Sequence, residues 1–88
     1  MVTVKRFRNI EELQKIRALA NRTREGVGLH NEDSTIVVDA KSCVGLLALD
    51  FTQPVLVVSA DMNFHRRITR VGETLDFKPD FLKCEVYH

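Results

Sequence analysis

Two periods of hydrophobic and polar residues alternate along this chain, and the switches between them divide it into elements. Residues 2–7 run Val-Thr-Val-Lys-Arg-Phe, an alternation with β-branched members that predicts a half-buried first strand. Asn9 then stands as an N-cap before Ile10-Glu11-Glu12, with a Glu at the third helical position to answer the cap's free N–H. Ile10, Leu13, Ile16, Leu19 and Ala20 make one apolar stripe, which predicts a helix over residues 10–23. Gly26 and Gly28 break it, and Val27, Leu29 and Asn31 start a second period-two pattern. A polar turn at Glu32-Asp33-Ser34 leads into the β-branched run Thr35-Ile36-Val37-Val38, so a tight hairpin joins the second and third strands.

The second half follows the same rules. Val44, Leu46, Leu47 and Leu49 suit a short helix, although Gly45 weakens it. Residues 50–54, Asp-Phe-Thr-Gln-Pro, carry turn chemistry, and Val55-Leu-Val-Val-Ser-Ala60 is the most apolar strand, expected inside the sheet. Asp61 caps a last helix bearing Phe64, Ile68, Val71 and Leu75, which Gly72 can end early. Residues 1–76 thus form one domain, and residues 77–88, which contain Lys78-Pro79, form an irregular C-terminal tail. The hairpin forbids an all-parallel sheet, and three amphipathic helices need one face to cover. The expected layout is an α+β, four-stranded antiparallel sheet of order β-α-β-β-α-β-α. The first and second strands flank the last one, and three helices lie on one face. The other face is expected to meet water through polar alternates such as Thr3, Lys5, His30 and Glu32.

Composition narrows the function. The 88 residues suffice for one core and exclude a multidomain enzyme. The 13 Lys and Arg against 12 Asp and Glu leave a net charge of +1, which excludes binding to nucleic acid by bulk electrostatics. Arg66, Arg67 and Arg70 with His65 make the last helix locally basic, balanced by Glu73 and Asp76 and read as a solvated face. Cys43 and Cys84 form no CxxC pattern, and Cys84 with His88 is too small a ligand set for structural zinc, so no metal or cofactor is expected. No apolar stretch is long enough to span a bilayer and the N-terminus lacks a signal-peptide core, so the expected location is the cytoplasm, away from membranes. No spacing implies a Ser-His-Asp or Cys-His arrangement or a phosphate-binding glycine loop, so the chain reads as a non-enzyme.

Residues 38–60, and in them Lys41, Ser42, Gly45, Leu46, Leu49 and Gln53, resemble HPr, the histidine-containing phosphocarrier of the bacterial sugar phosphotransferase system. The resemblance implies an HPr-like open-faced β-sandwich. In that family a His in Gly-Leu-His-Ala-Arg-Pro, just before the first helix, carries the phosphate. This chain has Arg8-Asn9-Ile10-Glu11-Glu12 there, so the resemblance is to a degenerate member without the phosphocarrier histidine. Gly28-Leu29-His30 repeats three letters of the motif at the wrong place in the element order. The family's second site, a serine phosphorylated by a dedicated kinase, corresponds to Ser42, which is otherwise a plain N-cap. The family's apolar docking patch corresponds to Cys43, Val44 and Leu47, with Leu46 and Leu49 facing the core; the bland alternative is a helix buried all round. The reading implied is a non-catalytic regulatory or docking module whose partners are other proteins, such as phosphotransferase-system components or a serine kinase. The alternatives are a true phosphocarrier with a displaced acceptor, His30 or His65, and a structural self-association domain.

Overall fold

The computed structural model describes residues 1–33 and 35–75. Eight elements follow one another there: β1 (Val2–Arg6), α1 (Ile10–Ala20), β2 (Val27–His30), β3 (Val37–Asp39), α2 (Cys43–Leu47), β4 (Val55–Ser59), α3 (Met62–Ile68) and β5 (Glu73–Leu75). The five strands form one antiparallel sheet in the order β3-β2-β4-β1-β5. As expected, the apolar β4 lies inside, between β1 and β2. The architecture is α+β, and the sheet has one strand more than the four expected.

The extra strand comes from the end of α3. Thr69 caps that helix, and Gly72 follows with φ +66, a left-handed conformation that costs glycine little. A Cβ at Gly72 would stand 2.9 Å from the Arg6 carbonyl oxygen and 3.0 Å from a ring carbon of Phe7, so only glycine fits this close turn against β1. The chain then pairs Glu73, Thr74 and Leu75 with Arg6, Lys5 and Val4. Leu75, expected on the stripe of the last helix, is a strand residue instead.

Other boundaries shift for local reasons. Helix α1 ends at Ala20, short of residue 23, because the Arg22 and Thr23 amides bond to the Leu19 and Ala20 carbonyls and tighten the chain into a turn. The hairpin is wider than a tight turn. The Asn31 Oδ1 accepts the Ile36 amide at 2.9 Å and its Nδ2 donates to Thr35 Oγ1 at 2.8 Å, so Thr35 and Ile36 belong to the connection and pairing starts at His30 and Val37. The expected tail at 77–88, the domain boundary at 76 and Ser34 of the turn lie outside the described residues.

Cross-strand partners share a face. The core cluster joins Leu13 and Ile16 of α1, Leu46 of α2 and Phe64 and Ile68 of α3 to Val55, Val57 and Leu29 of the sheet, so all three helices cover one side. Thr3 pairs with Val57 and Lys5 with Val55, which puts both polar residues on that helix side. The opposite face carries Val2, Val4, Leu56, Val58, Val37 and Leu75, together with His30. The expectation that this second face meets water through Thr3 and Lys5 is therefore corrected: the alternation of β1 is real, but its apolar set points away from the helices.

Candidate functional site

Two places in the fold correspond to the chemistry expected from the sequence, the start of α1 and the start of α2. At the first, Asn9 is the N-cap, its Oδ1 accepting the Glu12 amide at 3.0 Å. Glu12 Oε1 accepts the Arg8 amide at 2.6 Å, reaching back one residue beyond the N-cap in a variant of the capping box. Two amides at this helix start, those of Arg8 and Glu12, are thus taken up by the chain's own side chains. Glu11 and Glu12 add negative charge in the first turn, which complements the helix dipole and repels an anion.

At the second place, Ser42 is the N-cap of α2, with extended backbone and its Oγ accepting the Gly45 amide at 3.1 Å. Gly45 is part of this cap: a Cβ there would come within 3.3 Å of the Ser42 Cβ and 3.5 Å of the Asp39 carbonyl oxygen. Lys41, the neighbouring cation, is committed elsewhere. Its Nζ donates to the Thr23 carbonyl at 2.9 Å, tying the start of α2 to the end of α1.

The two sides of α2 differ sharply. Leu46 is 0% exposed and Leu49, just past the helix, is 5% exposed, both within the core cluster. Val44 is 77% exposed and Leu47 71% exposed, the two most exposed of the large hydrophobics described, and Cys43 beside them is also exposed. Residues three and four apart on a helix are neighbours, so Cys43, Val44 and Leu47 make one apolar patch at the surface.

The histidines fall in different environments. His30 sits on β2, on the sheet face away from the helices, and burial holds its imidazole below its ordinary pKa of 6.5. His65, expected on the polar face of the last helix, is buried. Its Nε2 lies 2.8 Å from the Ser59 carbonyl, which only accepts, so Nε2 carries the hydrogen; Nδ1, 2.7 Å from Thr3 Oγ1, accepts from that hydroxyl. Arg66, Arg67 and Arg70 remain exposed, as expected for a solvated basic face.

Lys5 was missed by sequence reasoning. It is fully buried on the helix side, its Nζ donating to Thr74 Oγ1 at 2.8 Å. Burial pulls its ammonium below the ordinary lysine pKa, and the Glu12 carboxylate raises it part of the way back. The signal available in the sequence was weak, a lysine within an alternating strand, and a partner on β5 was beyond its reach. Among the described residues no cluster of three metal-ligating side chains occurs, and no helix is long and apolar enough to cross a membrane. Compared with known proteins, the chain matches no family model, no curated protein and no solved structure.

Proposed function

We propose that this domain is a non-catalytic docking module, related to the HPr phosphocarriers but without their histidyl chemistry, that binds another protein through Cys43, Val44 and Leu47. The observation that carries the reading is the exposure of Val44 and Leu47 on a five-residue helix whose Leu46 is fully buried. A small domain needs its apolar side chains inside, so two aliphatics left in water on one helix face favour a partner that covers them. Ser42 stands at the foot of this patch. A phosphate on its Oγ would keep acceptor oxygens at the Gly45 amide while placing a dianion beside surface that a partner must desolvate, so phosphorylation would weaken docking more than folding.

The test compares capture of partners from the protein's own cell lysate by the unsubstituted chain, by Leu47→Asp and by Met62→Asp. Met62 is an exposed hydrophobic on another helix. A partner retained by the unsubstituted chain and by Met62→Asp but lost by Leu47→Asp supports the patch. Equal retention by all three overturns it. A phosphocarrier would be told apart by incubation with phosphoenolpyruvate and the family's phosphorylating enzyme. The side-chain cap at Asn9 and Glu12 and the doubly hydrogen-bonded ring of His65 both argue for no acid-labile phosphohistidine.

A further inference from the structure

The β3 margin of the sheet carries backbone groups with no partner among the described residues. Within the β2–β3 ladder the Asn31 amide bonds to the Ile36 carbonyl at 3.2 Å and the Ala40 amide to the Val27 carbonyl at 2.9 Å. Antiparallel pairs alternate between bonded and non-bonded, which fixes the direction of the rest. Val38, opposite Leu29, turns its amide and carbonyl inward, whereas Val37, opposite His30, and Asp39, opposite Gly28, turn theirs outward. β3 ends the sheet, and among the described residues no strand lies beyond it. Two groups on this side are already used: the Thr35 amide donates to Asp33 Oδ1 at 3.1 Å, and the Asp39 carbonyl accepts the Ser42 amide at 3.0 Å. The side chains along the margin are apolar yet in water, with Val37 59% and Ile36 38% exposed. Edge strands are ordinarily guarded by lysine, proline or a bulge. Residues 35–39, Thr-Ile-Val-Val-Asp, contain neither lysine nor proline, and β3 pairs with β2 in unbroken register.

We propose that this margin pairs with a second copy of the chain, β3 against β3 in antiparallel register about a two-fold axis at Val37. The register follows from the groups left over. Centred on Val37, each Val37 amide donates to the partner's Val37 carbonyl, and each Asp39 amide to the partner's Thr35 carbonyl. The Thr35 amide and the Asp39 carbonyl, both already bonded within the chain, then stand opposite one another, so the pairing asks nothing of either. The side chains agree. Val37 meets the partner's Val37 on the face away from the helices, Ile36 meets the partner's Val38 on the helix side, and Asp39 meets the partner's Thr35, with no like charges opposed. A register centred on Val38 would set Val37 beside the partner's Asp39 and aim its amide at the carbonyl that Ser42 occupies. This match of the margin to its own reverse, in bonding groups, side chains and charge, selects a second copy as the occupant. Such an axis uses up both β3 margins and closes the assembly at two chains. Few side chains are covered, so the dimer is weak. The inference concerns a different surface from Cys43, Val44 and Leu47 and stands independently of their docking role.

Sedimentation equilibrium of the full chain tests the pairing: the mass should rise from 10.1 kDa toward twice that between about 10 μM and about 1 mM, the range of weak association. Over the same range, solvent exchange of the Val37 and Asp39 amides, followed by NMR, should slow at least about threefold, while the Val38 amide, bonded within the chain, stays unchanged. Val37→Lys, at a position largely in water, should keep the circular dichroism of the unsubstituted chain and remain at the monomer mass. Leu47→Asp should dimerise as the unsubstituted chain does. A chain that stays monomeric throughout overturns the proposal, as does a dimer whose Val37 amide exchanges at the monomer rate. A dimer that survives Val37→Lys overturns it as well, and its loss in Leu47→Asp would then assign self-association to the patch on α2.

Discussion

Burying a lysine takes an ammonium out of water, and Lys5 recovers only part of that cost through Thr74 and the nearby Glu12. Because its pKa is lower in the folded chain than the ordinary 10.5, the unfolded chain binds more protons in the window between the two values. Stability therefore rises with pH across that window. Lys5→Met should remove this alkaline rise and be neutral to stabilising at neutral pH, within about 2 kcal/mol, as checked by urea melts over a pH series. His30 obeys the same sign. Its lowered pKa makes stability fall as pH drops through 6.5, and His30→Gln should flatten that acid-side slope in the same melts. Both ring nitrogens of His65 are hydrogen-bonded. Thr3→Val leaves a buried Nδ1 without its donor and should cost about 1–3 kcal/mol, with no change in far-UV circular dichroism. Neither Lys5 nor His65 was legible as a buried residue, since each lies one position from an apolar neighbour, Val4 or Phe64, that the periodicity assigns to the core.

At the scale of the element, α2 is too short to hold itself together by propagation of its own hydrogen bonds, so its cap and its core residue matter most. Ser42→Ala should lower stability by about 1 kcal/mol, while Ser42→Asp, which still offers an oxygen to the Gly45 amide, should lose much less. Asp substitutions on the two sides should separate cleanly. Leu47→Asp puts a carboxylate into water and leaves the melting temperature nearly unchanged, whereas Leu49→Asp buries one in the core and unfolds the domain. Equal loss of thermal stability in the two variants would show that the whole helix is core. The caps of all three helices were visible in the sequence as Asn9, Ser42 and Asp61, because capping depends on residues a few positions apart. The end of α3 was not, because an apolar i, i+3, i+4 spacing continues through Val71 to Leu75 while the backbone turns at Gly72.

For the molecule as a whole, the interior position of β4 follows from its composition, and its flanking strands follow from the hairpin and the need to cover both edges of an apolar strand. The hand of the β1 alternation does not follow, since a shift of one residue exchanges the two faces and the strand buries Val4 on one face and Lys5 on the other. The fifth strand was hidden for a related reason. Glu73-Thr74-Leu75 has too few residues to show a period, and its place is set by the turn at Gly72 against Arg6 and Phe7. That turn has a consequence for solubility. A sheet's free margins are templates for pairing with other molecules, and among the described residues both margins, β3 and β5, span three residues. Without β5, the margin would be the valine-rich β1, five residues of bare amide and carbonyl groups ready to recruit another chain. Gly72→Val, which cannot take the turn, should therefore reveal itself first as concentration-dependent aggregation in light scattering, before any loss of helix content.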